Sequence, residues 1–93
     1  MPAITRLTDI ASGHGCWPDS DVIQASPNVI VNNLGVFRVT DAVRVHCCVS
    51  CHGRKGASGS PDTIFNDLNV MRLFDPIDCG GFMVTGSSDT IVN

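Results

Sequence analysis

Residues 26–32 read Ser26-Pro-Asn-Val-Ile-Val-Asn32, and the phrase returns twice, as Ser60-Pro-Asp-Thr-Ile-Phe-Asn66 and Ser87-Ser-Asp-Thr-Ile-Val-Asn93. A second phrase keeps step with it: Arg-Leu-Thr-Asp at 6–9, Arg-Val-Thr-Asp at 38–41 and Arg-Leu-Phe-Asp at 72–75. The leading Ser and the Arg are 12 residues apart in both complete copies, 26 to 38 and 60 to 72. Self-similarity at constant spacing marks a chain that uses one structural unit several times.

Each complete unit reads as a β-hairpin. The runs Asn28–Asn32 and Val36–Val39 are short and rich in β-formers, and Asn32-Asn-Leu-Gly35 joins them. The second copy turns through Asn66-Asp-Leu-Asn69, again placing Gly or Asn where a positive φ costs little. The third copy reaches Asn93 with no returning strand, while the unmatched Arg6–Asp9 phrase sits at the other end of the chain. This predicts that the N-terminal segment supplies the missing strand and closes three units into a ring without open edges. The expected fold is all-β: three pseudo-symmetric hairpin units, closed by pairing of the N- and C-terminal segments. It forms one domain over 1–93, with units at 26–41, 60–75 and 87–93 plus 6–9.

Composition agrees. The chain has 93 residues, enough for one domain, and is 43% hydrophobic with nine Gly, five Pro and no Tyr, which suits a turn-rich β protein. Its net charge is −3, and of its six Lys and Arg only Arg54 and Lys55 are adjacent, so the clustered cations of a nucleic-acid grip are missing. The segment Met1–Ile10 has neither the basic start nor the apolar stretch of a secretory leader. No apolar run approaches the roughly 18–20 residues that span a bilayer. The expectation is synthesis in a reducing cytosol, where five cysteines point to metal or chemistry more than to disulfides.

Three connections remain, over 10–25, 42–59 and 76–86. Hairpins standing round one axis send all three out at the same end. His14 lies in the first, His46 and His52 in the second and Cys79 in the third. One, two and one make the four ligands of a closed tetrahedral zinc site, with iron the other candidate metal. Gly13, Gly15, Gly53, Gly80 and Gly81 flank them and allow close approach.

The segment His46-Cys-Cys-Val-Ser-Cys-His-Gly53 carries other readings. A zinc ribbon needs a second CxxC pair, whereas Cys16 and Cys79 are lone. A thioredoxin-type site needs a helix after the motif, and Gly53–Asp62 is no helix former. A Cys–His hydrolase dyad lacks any oxyanion-hole signal. Each histidine taken singly is an ordinary surface-loop residue; three with Cys79, placed loop by loop, favour a metal. Cys16, Cys47, Cys48 and Cys51 read as packing thiols around it. Alternatively one of them replaces a histidine ligand, or Cys47–Cys51 or Cys16–Cys48 forms a disulfide in oxidising surroundings.

Taken together, the three Ser-Pro-Asn-like repeats, "HGCWP", "HCCVSCHG" and "DCGGF" resemble the PAAR-repeat proteins across essentially the whole chain. That family includes spike-tip proteins of type VI secretion systems and of contractile phage tails, and these metal loops look most like the phage baseplate versions. The resemblance implies a cone whose tip holds one structural metal ion, usually zinc, through three histidines and a cysteine. Residue by residue, these are His14, His46, His52 and Cys79. It implies a base that caps a trimeric central spike, VgrG-like or a phage tail spike β-helix, one copy per trimer. It further implies transient contact with a target outer membrane, and a place at a virion tail tip or the tip of a secretion apparatus. Neither nucleic acid nor a small-molecule substrate is expected, and no catalytic residue or toxin extension is assigned. The family's "GxPAxRxGD" stretch is worn down to "NNLGVFRVTD" and "DLNVMRLFD", and Ser88 stands where Pro is usual.

Val29, Val31, Ile64, Phe65, Ile91 and Val92 are the candidates for the spike-contacting base, or else they form the domain's own core. Trp17 is expected beside the metal. Arg6, Arg38 and Arg72 are expected to form structural contacts with Asp9, Asp41 and Asp75, since a residue repeated three times serves a scaffold. The rival readings are a small zinc module that contacts nucleic acid or protein through its Cys/His loop, and a metal hydrolase with an open coordination position.

Overall fold

The structure, a computed structural model, describes residues 1–93. It is all-β and without helix, a small body 36 × 23 × 22 Å in extent. Eight short strands pair two by two, each pair antiparallel. They are β1 (Ile10–Ala11) with β2 (Ser20–Asp21), β3 (Ile30–Val31) with β4 (Leu34–Gly35), β5 (Ala42–Cys47) with β6 (Cys51–Lys55), and β7 (Ile64–Phe65) with β8 (Leu68–Asn69). The rest of the chain is tied by isolated bridges and loop hydrogen bonds.

The two hairpins predicted from the repeats are β3–β4 and β7–β8, each closed by a two-residue turn. Their positive φ angles fall on Asn32 and Asn33 (54° and 65°) and on Asn66 and Asp67 (56° and 65°). That is the left-handed pair which matches the natural strand twist. Gly35 and Asn69 are therefore not the turn positions. Gly35 is small for another reason: a Cβ there would lie 2.6 Å from the carbonyl oxygen of Ser26.

The third unit is made by the chain ends. Ala3 bridges Ile91, as Ile30 pairs with Gly35 and Ile64 with Asn69. Ile4 N–H donates to Thr90 O just as Val36 N–H does to Val29 O and Val70 N–H to Thr63 O. The N-terminal segment thus fills the place left open after Asn93. At the centre, Thr5 N–H donates to Met71 O, Met71 N–H to Phe37 O and Phe37 N–H to Thr5 O, a closed triangle of backbone bonds at 3.2, 2.9 and 3.0 Å.

Two small cores flank this triangle. Ile4, Val36 and Val70 form one under the hairpins; Val29, Val31, Phe65 and Val92 pack against it. Ala11, Val22, Phe37, Val43, Met71, Ile77 and Met83 form the other, and Cys79 packs against that one.

The repeated polar residues close the local turns. Ser26, Ser60 and Ser87 each accept at Oγ from the backbone N–H groups two and three residues on, at 3.0–3.3 Å. This explains the Ser that opens every copy. Arg6, Arg38 and Arg72 each make the expected ion pair, their Nε donating to Asp9, Asp41 and Asp75 at 2.7–2.9 Å. The asparagines then link units in a cycle. Asn32 Nδ2 donates to Asp89, Asn93 Nδ2 to Asp62 and Asn66 Nδ2 to Asn28, at 3.0, 3.2 and 3.0 Å.

Candidate metal centre

The three connections carry the site. The first makes a tight turn closed from both sides, with His14 N–H donating to Trp17 O (3.0 Å) and Trp17 N–H to His14 O (2.9 Å). The second is the β5–β6 hairpin, in which His46 faces His52 and Cys47 faces Cys51. The third turns at Asp78–Gly81, where Gly80 and Gly81 take φ of 105° and 86°. Gly80 is needed there twice over, because a Cβ on it would also lie 3.4 Å from the His14 ring. Gly53 has no such role, since a Cβ there would meet nothing within 4 Å.

A β-bulge aims His46. The register runs Val43↔Arg54 and then His46↔His52, three residues on one strand against two on the other. Without the extra residue, strict alternation would turn Val45 inward beside Val43. With it, Val45 is 52% exposed while His46 is buried at 2%.

His14, His46, His52 and Cys79 come together, and one ligand atom from each lies within 4.8 Å of the others. His46 Nδ1 is 3.0 Å from Pro18 O. A carbonyl only accepts, so in the neutral ring Nδ1 holds the proton and Nε2 presents a lone pair. That Nε2 stands 2.5 Å from His52 Nε2 and 3.9 Å from Cys79 Sγ. His14 Nε2 is buried without any hydrogen-bond partner. Burial first, then repulsion from His46, His52 and Arg54, holds the His14 imidazole below the ordinary histidine pKa and so keeps it neutral.

A buried orphan nitrogen, an imidazole held in the ligating tautomer and a nearby thiol are the donor set of a borderline-soft cation. Ligand atoms about 2.0–2.3 Å from a tetrahedral zinc stand roughly 3.3–3.6 Å from each other, within the 2.5–4.8 Å spread seen here. The quartet could hold a metal ion. Bound there, the ion would crosslink all three connections.

The other four cysteines are joined, Cys16 to Cys48 across 32 residues of sequence and Cys47 to Cys51 across four. This corrects the reading of them as packing thiols. Cys47 and Cys51 directly follow and precede His46 and His52 on paired strands, so alternation turns them to the opposite face. The vicinal Cys47 and Cys48 belong to different bridges. Trp17 packs beside the ligands as expected, its ring centroid 5.3 Å from those of His14 and His52, and its Nε1 donates to Ser50 O at 2.8 Å.

Arg54 is the functional residue missed from the sequence. It is buried at 3% and carries no carboxylate partner. Its guanidinium donates to Ser20 Oγ and to the carbonyls of Ser12 and Gly80. It therefore reaches from the second connection to the first and third, beside His14 and Cys79. The sequence signals for Arg54 are its position two residues after His52 and the lack of the Asp that follows Arg6, Arg38 and Arg72 three residues on.

A profile of the PAAR motif matches residues 12–85. The chain belongs to the PAAR-motif family. The matched stretch of this PAAR protein contains His14, His46, His52 and Cys79 and both complete hairpin units. Compared with curated proteins, the chain finds no match.

Of the residues expected at a partner surface, Ile64 and Ile91 are exposed, whereas Val29, Val31, Phe65 and Val92 lean onto the smaller core. The third exposed position is Ile30, which lies outside the set expected from the sequence. The repeat itself names it: Ile is common to the fifth position of all three copies. The three are exposed to 54, 55 and 56%.

Proposed function

We propose that this PAAR protein is the structural tip of a contractile injection spike, of a phage tail or a type VI secretion apparatus. Its hairpin end seats on the end of a trimeric β-helical spike, one copy per trimer. Its loop end is the point that meets the target outer membrane, drawn together by one metal ion, zinc by the chemistry of its donors, on His14, His46, His52 and Cys79. The observation that carries the reading is the triad Ile30, Ile64 and Ile91, equally exposed around a closed cycle of hydrogen bonds. One chain thereby offers three equivalent apolar patches, which is what a threefold partner recognises.

A narrow point made of converging loops cannot bury enough apolar surface to hold itself, and metal bonds supply what burial does not. The protein's arginines leave little cationic surface for nucleic acid. Arg6, Arg38, Arg44 and Arg72 are paired with aspartates and Arg54 is buried, so Lys55 alone is free of either. Mixing the protein with a trimeric spike fragment should give a complex of one copy per trimer by native mass spectrometry. The triple change Ile30→Asp, Ile64→Asp and Ile91→Asp should abolish it. A complex of three copies per trimer, or one that survives the triple change, would overturn the seating.

A further inference from the structure

The two disulfides do unequal work at the candidate metal centre. Cys47–Cys51 joins residues that the β5–β6 ladder already pairs, across a loop of only four positions, so it repeats a constraint the backbone imposes. Cys16–Cys48 joins two connections that are 32 residues apart in sequence. Near the ligand turn the structure otherwise has Trp17 Nε1 to Ser50 O, His46 Nδ1 to Pro18 O, Ser20 Oγ to Arg44 O, the bonds of Arg54 and the ion pair of Asp21 with Arg44. The backbone links of the two connections lie farther along, at Val22, Ile23 and Gln24 with Ala42 and Val43. Cys16 also lies inside the tight turn that begins at His14. Fixing its sulfur fixes His14 against His46 and His52.

We propose that the Cys16–Cys48 disulfide sets the affinity of the metal centre, so that metal retention is linked to redox state. The proposal rests on the metal reading of the site. With the bridge intact, His14 is held beside the other ligands before any ion arrives, and little chain entropy remains to be lost on binding. With the bridge open, the turn is tethered by weaker bonds and the ion must order it. The coupling is reciprocal: an ion that binds the bridged form more tightly protects the bridge by the same factor. All four bridged cysteines are exposed, so a reductant reaches them without unfolding the chain. A phosphine opens a bridge by a two-electron reduction, in which phosphine, disulfide and water give phosphine oxide and two thiols.

Zinc affinity is measured by competition with a chromophoric chelator. The samples are the oxidised protein, the phosphine-reduced protein, and the double variants Cys16→Ser/Cys48→Ser and Cys47→Ser/Cys51→Ser. Reduction and the first double variant should each weaken zinc binding on the order of 10- to 100-fold, the range typical of lost support around a ligand. The second double variant should stay within about threefold of the oxidised protein. Saturating zinc should slow phosphine cleavage of Cys16–Cys48, read by alkylation and mass spectrometry. Reduction of the wild type keeps the test open even if a serine variant fails to fold. Equal affinity in the oxidised and reduced forms would overturn the proposal, as would tighter binding after reduction, which would bring the released thiolates into the ligand set. A protein that takes up zinc in none of these forms would refute the metal reading itself.

Discussion

At the hairpin end, Ser26, Ser60 and Ser87 each close their own turn with the same two bonds, and three Arg–Asp pairs do likewise. At the loop end no bond is made twice. His14, the His46–His52 pair and Cys79 come from connections of different length and shape, and the links among them are the Cys16–Cys48 disulfide, Arg54 and Trp17. A repeated unit can be specified locally, because each copy satisfies its own turn and asks its neighbours only for the same few bonds. A converging point has no such economy and depends on crosslinks between segments distant in sequence.

The comparison breaks most visibly at the ion. His52→Ala should lower zinc content and thermal midpoint together, since apparent free energies of structural zinc binding run on the order of 10 kcal/mol. Hydrogen exchange should rise across 12–19 and 46–54 while Phe37 and Met71 stay protected. Unchanged zinc stoichiometry would remove His52 from the ligand set. Next in size is the opposite end. Asp41→Ala leaves Arg38, 8% exposed, without its charge partner and should cost about 3–5 kcal/mol in denaturant unfolding, with zinc content unchanged.

Acid should act on the loop end of the metal-free protein. His14 titrates lower in the folded chain than its ordinary 6.5, so the unfolded chain takes up the proton first. The stability this contributes is present above about pH 6.5 and lost as pH falls below it. The midpoint of metal-free protein should drop over that interval, and His14→Ala should flatten the profile. At the hairpin end Asp89 titrates below its ordinary 3.8 because Asn32, Ser87 and Thr90 donate to it, and its contribution persists until pH falls into the carboxylate range.

The smallest effect is a gain. Thr8, Thr40 and Phe74 occupy the same place in the three Arg–Asp turns with φ of 75°, 77° and 71°, where glycine is at ease. Thr40→Gly should relieve that strain against a smaller entropy loss, raising stability by about 0.5–1 kcal/mol. A loss in thermal unfolding would show that the threonine side chain contributes more than its backbone costs.

The repeat made the hairpins, the ring closure by the N-terminal segment and the Arg–Asp pairs legible, because each rests on contacts that the same letters spell three times. The exposed isoleucine column is equally legible, since Ile30, Ile64 and Ile91 share one place in the repeat, whereas Val29, Val31 and Val92 pack inward. The candidate ligands could be nominated because one connection per unit leaves few choices. What the amino-acid sequence could not determine is which way those side chains point. Alternation from Val43 puts Val45 inside, and only the bulge between Val43 and His46 delivers His46 instead. The sequence offered the Cys16–Cys48 and Cys47–Cys51 pairings only as alternatives, and tertiary structure decided them together with the burial of Arg54. Cys16 and Cys48, like Arg54 and its partners, lie far apart in the chain, and only folding brings them within bonding distance.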